Sequence, residues 1–226
     1  MMTIIMIDVE AGKEDLFKHL YKNLMELREG VDQDKIQFLY QAKCFTHSDI
    51  SLLVDIKDPE ALPSFITNIL LQMDGVWDIQ VIPLLNPRFF ELPAKMKEGI
   101  QSHFTVTLDV RSNKTKTIYN KVVEMAANDD NVITFLAYSF YSYENDIILS
   151  LLAPDMRSAS EFVTTNFRSM DGVIDTVVWE IDKWKFIISA VDLMKFINST
   201  RKDDQIDEER WEKSYKALMD SYICAI

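Results

Sequence analysis

The sequence predicts an α+β protein built from two tandem βαββαβ units, with added helices at the C-terminal end. The first observation is a repeated motif: Met73-Asp74-Gly75-Val76 recurs as Met170-Asp171-Gly172-Val173, at an offset of 97 residues. The second is that other positions match at the same offset, such as Phe65 with Phe162. The third is the length of the repeat, which is too long for a solenoid and about the size of a small domain.

Each unit is predicted to begin with a strand. Residues 3–9 are rich in β-branched side chains, and their counterpart at residues 104–110 alternates strictly between apolar and polar residues. Here the offset is 101 residues, since Ile7-Asp8-Val9 matches Leu108-Asp109-Val110. A period of two indicates that one face of the second strand is buried and the other is polar or solvated.

A helix is predicted after each first strand. Apolar residues recur at helical spacing in both units. In the first unit they are Leu16, Phe17, Leu20, Leu24 and Leu27, and in the second Ile118, Val122, Met125 and Ala126.

A hairpin, a second helix and a last strand are predicted to complete each unit. The hairpin strands cover residues 36–45 and 50–56 in the first unit, and 132–143 and 147–152 in the second. The second helix starts after Asp58-Pro59 or Pro154-Asp155, where aspartate can cap and proline suits the first turn. Gly75 and Gly172 then close these helices, as a left-handed residue commonly does.

This order is the ferredoxin-like split βαβ arrangement, in which both helices cover one face of a four-stranded sheet. The other face needs a partner. Two units could pack these faces together into a dimeric α/β-barrel-like core, or each unit could pair with another chain. The predicted domains are residues 1–92, 93–184 and a helical extension at 185–226, with helices at 184–198 and 207–225.

Composition excludes several classes of function. The net charge is −12, with 24 basic and 36 acidic residues, so we expect no direct nucleic-acid binding. We also expect no membrane contact, because no apolar run approaches the roughly 20 residues that span a bilayer. The N-terminus lacks a signal-peptide pattern. With two cysteines, Cys44 and Cys224, the sequence favours a reducing cytoplasm.

Candidate chemical groups are few. The three histidines, His19, His47 and His103, form no zinc motif, and we expect no metal, no cofactor and no catalytic residue. His103 precedes a strand and is expected to be peripheral. Asp8 and Asp109 occupy matching positions, where they either form paired carboxylates in a cavity or lie on the polar face of their strands.

Several segments resemble the effector-binding (RAM) domain of the Lrp/AsnC transcriptional regulators. The segments that carry the resemblance are Thr46-His47-Ser48-Asp49 with the apolar strand after it, Asp58-Pro59-Glu60, Phe65-Ile66 and Met73-Asp74-Gly75-Val76. The second copy offers Tyr143-Glu144-Asn145-Asp146, Asp155, Phe162-Val163 and Met170-Asp171-Gly172-Val173. The family's turn glycine is replaced by Thr46 and Tyr143, and the chain begins directly at the first strand, without a helix-turn-helix.

The resemblance implies a non-enzymatic module that senses a small molecule, such as an amino acid, or that modulates a partner regulator protein. Ligand binding is then expected at the hairpin turns. The implied ligand-binding residues are Thr46, His47, Ser48, Asp49, Tyr143, Glu144, Asn145 and Asp146. A homo-oligomer is expected as well.

Two alternatives belong to other classes. One is a cofactor-free α/β-barrel enzyme such as a small monooxygenase, whose pocket needs only polar and aromatic groups. A haem enzyme of this architecture would use an axial histidine on a late helix, and no histidine follows His103. The other alternative is an oligomeric assembly protein.

Overall fold

The structure is a computed structural model that describes residues 1–13, 15–28, 34–44, 49–90, 102–127, 132–139 and 146–187. Within these ranges the chain forms nine strands and four α-helices. They divide into two compact units. The first contains Met1–Leu84 and the segment from Ile181, and the second runs from Leu85 to Glu180. The C-terminal helices expected beyond residue 187 lie outside the described residues.

The element order is βαββαβ in each half of the sequence, as predicted. The first half contains β1 (Met2–Val9), α1 (Leu16–Arg28), β2 (Ile36–Cys44), β3 (Ile50–Ile56), α2 (Ala61–Phe65) and β4 (Val76–Pro83). The second half contains β6 (Ser102–Val110), α3 (Thr115–Ala126), β7 (Ile133–Tyr138), β8 (Ile147–Ala153), α4 (Met156–Val163) and β9 (Val173–Phe186). A further strand, β5 (Leu85–Phe89), lies between them. A π-helical turn extends α2 through Leu70 and α4 through Arg168.

The first unit has an antiparallel sheet in the order β4-β1-β3-β2, and the last residues of β9 pair with β2. Helices α1 and α2 pack on one face of this sheet. The buried core between the helices and the sheet includes Ile5, Ile7, Leu20, Leu24, Leu52, Val54 and Phe65.

The second unit has an antiparallel sheet in the order β9-β6-β8-β7-β5. Helices α3 and α4 pack on one face. Their core includes Phe104, Val106, Leu108, Ile118, Val122, Leu149, Leu151, Val163 and Phe167.

Two strand assignments go beyond the sequence prediction. Strand β5 was not predicted; it is short and contains Pro87, and its pairing with β7 is what makes it a strand. Strand β9 continues through Phe186, into the segment that we expected to become helical from Trp184. Charged and apolar residues alternate over Lys183-Trp184-Lys185-Phe186, which suits an extended chain better than a helix.

The repeated Met-Asp-Gly-Val motif is a helix stop, as predicted. Gly75 and Gly172 have φ angles of +96° and +105°, in the left-handed region that glycine tolerates best. A Cβ atom on either glycine would lie within 3 Å of the Lys13 or Lys114 side chain. The same lysines form ion pairs with the aspartates that precede the glycines. The motif therefore joins each helix end to the loop after the first strand.

No helix among the described residues is long and apolar enough to cross a membrane.

Candidate functional site

The predicted hairpin site is described at two of its eight residues. Thr46, His47, Ser48, Tyr143, Glu144 and Asn145 lie outside the described residues. Asp49 and Asp146 are described, and both make the same contact within their own unit. Asp49 Oδ2 accepts a 2.8 Å hydrogen bond from the Val9 N–H, and Asp146 Oδ2 accepts a 2.8 Å bond from the Val110 N–H. Ligand binding at the turns stays a prediction.

These two hydrogen bonds have a local cause. The pairing of β1 with β4 and of β6 with β9 shifts register at Asp8/Val9 and at Asp109/Val110, as at a β-bulge. A bulge leaves a backbone donor without its ladder partner, and the aspartate after the hairpin turn supplies an acceptor. Burial raises the pKa of Asp146, and the neighbouring Asp109 carboxyl adds to the rise. Both aspartates therefore brace the end of a strand.

The second unit carries polar groups on the sheet face opposite α3 and α4, here called its helix-free face. Phe104, Val106 and Leu108 point into the helix-packed core. Because side chains alternate along a strand, the residues between them point to the helix-free face. These residues of β6 are His103, Thr105, Thr107 and Asp109.

A row of side chains crosses this face from one edge of the sheet to the other. Thr105 of β6 pairs with Trp179 of β9 on one side and with Ser150 of β8 on the other. Ser150 pairs with Phe135 of β7, which in turn pairs with Phe89 of β5. The Phe89 and Phe135 rings are 5.0 Å apart. Two hydroxyl groups thus lie between aromatic side chains.

Thr107 extends the polar groups along β6. It is 1% exposed, and its Oγ1 has no hydrogen-bond partner within the part of the chain that the structure describes. A buried hydroxyl without a partner is costly, because it has lost its hydrogen bonds to water. A partner from outside the described residues, such as a ligand or a water molecule, would supply the missing bond.

His103 lies on the same face, two residues before Thr105. We expected it to be peripheral, and this is wrong: both ring nitrogens are buried, although the residue as a whole is only half-buried. Burial lowers the pKa of His103 to about 4. The imidazole is therefore neutral near pH 7, and one of its nitrogens is a hydrogen-bond acceptor.

The charge of this face restricts what it can bind. The described strand positions of the face include Asp109 but no Lys or Arg, since Arg88 of β5 contacts Tyr119 of α3 on the opposite face. No group of three His, Cys, Asp or Glu side chains within the described ranges is placed to hold a metal ion. The face suits a neutral, largely aromatic ligand with one or two polar atoms.

Among the described residues of the first unit, a partly buried cluster of Cys44, Ser51 and Tyr40 lies on the helix-free face. Cys44 Sγ lies 3.9 Å from the Ser51 Oγ, and Tyr40 packs beside the cysteine. Burial raises the pKa of the Cys44 thiol to about 11, so the thiolate is scarce at neutral pH. Cys44 is therefore a small, buried core side chain.

Comparison with known proteins shows similarity at the level of fold. No protein-family model matches the chain, and no curated protein matches it by sequence. The solved structure of the siroheme decarboxylase NirDL matches with a TM-score of 0.54 and 8% identity, over 98% of this chain and 79% of that chain. A candidate monooxygenase from Fusobacterium nucleatum subsp. nucleatum matches with a TM-score of 0.51 and 14% identity, over 83% of this chain and 92% of that chain.

A third solved structure, of an anthrone oxidase-like protein, matches with a TM-score of 0.50 and 4% identity. It covers 83% of this chain and 93% of that chain. At such low identity these three similarities establish the fold alone.

The expected relationship to the Lrp/AsnC effector-binding domain is wrong, and so is the regulatory function inferred from it. The similar solved structures are monooxygenase-like and decarboxylase proteins instead. The physical reason lies in the motifs that carried the resemblance. The turn aspartates brace β-bulges and the Met-Asp-Gly-Val segments stop helices, so these features report the βαββαβ fold and no particular ligand.

Proposed function

We propose that this chain is an enzyme that oxidises a neutral, planar aromatic substrate with dioxygen, without a bound cofactor. The reaction takes place on the helix-free face of the second unit. The observation that carries the proposal is the set of polar side chains along β6, in which Thr107 is buried and its hydroxyl lacks a partner among the described residues. Fold similarity to a candidate monooxygenase and to an anthrone oxidase-like protein supports an oxidative reaction.

The residues of this face have separate roles in the proposed reaction. Trp179 and Phe135 supply apolar aromatic surface on either side of the hydroxyl pair of Thr105 and Ser150. A planar substrate packs against the rings and directs its oxygen atom to the hydroxyl groups. His103, neutral at physiological pH, accepts the proton that the substrate loses.

The chemistry balances without a cofactor when the substrate is an enolisable aromatic ketone with a methylene group. Loss of one methylene proton to His103 gives a carbanion that is delocalised over the aromatic rings. The carbanion transfers electrons to dioxygen, and a carbon–oxygen bond forms. The peroxide anion takes the proton back from His103 to give a hydroperoxide, which loses water. The methylene group and one dioxygen thus become a carbonyl group and one water, and His103 is neutral again.

A tetrapyrrole fits this face poorly. The NirDL structure is also similar in a complex with an iron-uroporphyrin III analogue, with a TM-score of 0.54. A uroporphyrin-type ring carries many carboxylates, which need cationic partners. The described positions of the helix-free face include Asp109 and no Lys or Arg. A tetrapyrrole therefore has no part in the proposed reaction.

We also infer that the two units arose by tandem duplication of one ferredoxin-like unit. Matching hydrogen bonds at Val9 and Val110, and matching glycines at the two helix ends, support this origin. The similar element order of the two halves is consistent with it. Oligomeric state, partner proteins and cytoplasmic location stay predictions from the sequence.

Oxygen consumption tests the proposed function. Purified protein should consume dioxygen with anthrone and form anthraquinone faster than the spontaneous reaction. His103→Gln should slow this rate by about 100-fold or more, in the range of a lost general base, while Met6→Leu in the first unit should leave it unchanged. A wild-type rate equal to the spontaneous rate with anthrones, naphthols and hydroquinones alike would refute the proposal.

A further inference from the structure

The two units present different chemistry at matching positions of their helix-free faces. In the first unit, Ile4 of β1 pairs with Ile82 of β4 and with Leu53 of β3. In the second unit, the same three places are held by Thr105, Trp179 and Ser150. The offsets of the sequence repeat match the same residues: Ile4 with Thr105 at 101 residues, and Leu53 with Ser150 and Ile82 with Trp179 at 97 residues.

The difference continues along the first strand of each unit. Met2 occupies the place of His103, and Met6 occupies the place of Thr107. Both methionines are buried, as are Leu53 and Ile82. Hydrophobic side chains thus stand in the first unit where the second unit has His103, Thr105, Thr107 and Ser150. Methionine is well suited to filling irregular space in a core.

The aspartates that accept hydrogen bonds at the strand ends, in contrast, are the same in both units. Asp49 and Asp146 are present in both units and make hydrogen bonds of equal length. The aspartates with a structural role are therefore the same in the two units. On the helix-free face, His103, Thr105, Thr107 and Ser150 have hydrophobic counterparts in the first unit, while Asp109 is matched by Asp8. This separation indicates that the polar row of the second unit is not a requirement of the fold.

We propose that each chain binds one ligand molecule, on the second unit, and that the matching face of the first unit is closed by Met2, Met6, Leu53 and Ile82. The Thr107 hydroxyl is retained for the ligand at a cost to the stability of the free protein. The inference rests on the proposed function for the location of the site, but it also predicts stability differences that need no substrate.

Two matched substitutions test the asymmetry without a ligand. Thr107→Val replaces a buried hydroxyl by a methyl group of similar size and should raise the melting temperature, by about 3 °C for a chain of this size. Met6→Thr makes the reverse exchange in the first unit and should lower it. A lower melting temperature for Thr107→Val would show that the Thr107 hydroxyl is hydrogen-bonded within the protein. An unchanged melting temperature for Met6→Thr would show that the helix-free face of the first unit is open to solvent. Either result would overturn the inference.

Equilibrium dialysis with 1-naphthol, a neutral hydroxyaromatic probe, measures the stoichiometry. One mole should bind per mole of wild-type chain, with affinity at least tenfold weaker for Thr107→Val and unchanged for Met6→Leu. Two moles per chain, or equal weakening by both substitutions, would overturn the inference. If 1-naphthol does not bind at all, the proposed substrate class is wrong, and the two melting temperatures alone decide the asymmetry. Bound probe without dioxygen consumption would refute the oxidase chemistry and leave the single site standing.

Discussion

The Asp146 carboxylate accepts a 2.8 Å hydrogen bond from the backbone N–H of Val110, at the bulge that ends β6. Replacing Asp146 by alanine leaves this part-buried donor unpaired and should lower the free energy of unfolding by about 1–3 kcal/mol. Asp146→Asn keeps an acceptor oxygen and should lose less than half as much. Urea denaturation of the two variants measures the difference, and equal losses would show that the hydrogen bond is not what stabilises the strand end.

The glycines that close the second helices provide a second prediction. Gly75→Ala forces a side chain into the left-handed region and places Cβ 2.7 Å from Lys13 Cγ, so it should cost about 1–3 kcal/mol of stability. Gly12 is the matched control, because it also has a positive φ, +87°, but nothing lies within 4 Å of its Cβ position. Thermal denaturation should show a larger loss for Gly75→Ala than for Gly12→Ala. Equal losses would mean that close packing against the lysine contributes nothing.

The burial of His103 predicts a dependence of stability on pH. Its pKa is about 4 in the folded chain and near 6.5 when solvated. Between pH 4 and 6.5 the unfolded state binds more protons than the folded state. The stability that the neutral, buried His103 contributes is therefore complete above pH 6.5 and is lost as the pH falls through 4. At about 1.4 kcal/mol per pKa unit the loss is at most about 3–4 kcal/mol, and solvent screening of the half-buried side chain reduces it.

The His103→Gln variant isolates this contribution, because it retains the other titrating groups. Among these, burial raises the pKa of Asp146, which gives a contribution of the opposite sign: it is present at low pH and is lost as the pH rises. The free energy of unfolding of the wild type minus that of the variant should fall between pH 6.5 and 4. A constant difference over this range would place His103 in water.

Cys44 should be inert in the folded protein. Burial raises the pKa of its thiol to about 11, so little thiolate is present at pH 8. In a Cys224→Ser background, which leaves Cys44 as the only thiol, iodoacetamide should label the native protein at least tenfold more slowly than the urea-unfolded chain. Similar labelling rates in the two states would contradict the buried position of the thiol.

Much of the fold could be predicted because local signals and tertiary structure agree. The apolar stripes of α1 and α3, and the glycines that close the second helices, follow directly from helical periodicity and backbone sterics. Strand β5 could not be predicted in the same way. Its pairing with β7 joins residues that are about 50 positions apart in sequence, and five residues that include a proline carry little strand signal of their own.

The sequence contains the polar residues of β6, but it does not show whether they face solvent or a binding site. Thr105, Thr107 and Asp109 alternate with apolar residues, and the same pattern describes a strand with one solvated face. Only the structure shows that Thr107 is buried. A comparison of the two repeats at these positions would have been informative, because His103 and Thr107 correspond to Met2 and Met6.

The candidate site was placed at the hairpin turns because of a family resemblance. That resemblance rested on aspartates and glycines that the βαββαβ fold needs for its own bulges and helix ends. Short motifs of this kind recur wherever the same backbone features recur, so they identify a fold more reliably than a function.

A crystal structure of the chain soaked with 1,8-dihydroxyanthraquinone, a stable analogue of the proposed product, tests the central claim most directly. Electron density for one ligand should lie on the helix-free face of the second unit, with an oxygen within hydrogen-bond distance of Thr107 Oγ1 and a ring against Trp179. Density at the first unit's matching face, or at the hairpin turns with none on the second unit's helix-free face, would contradict the assignment of the site.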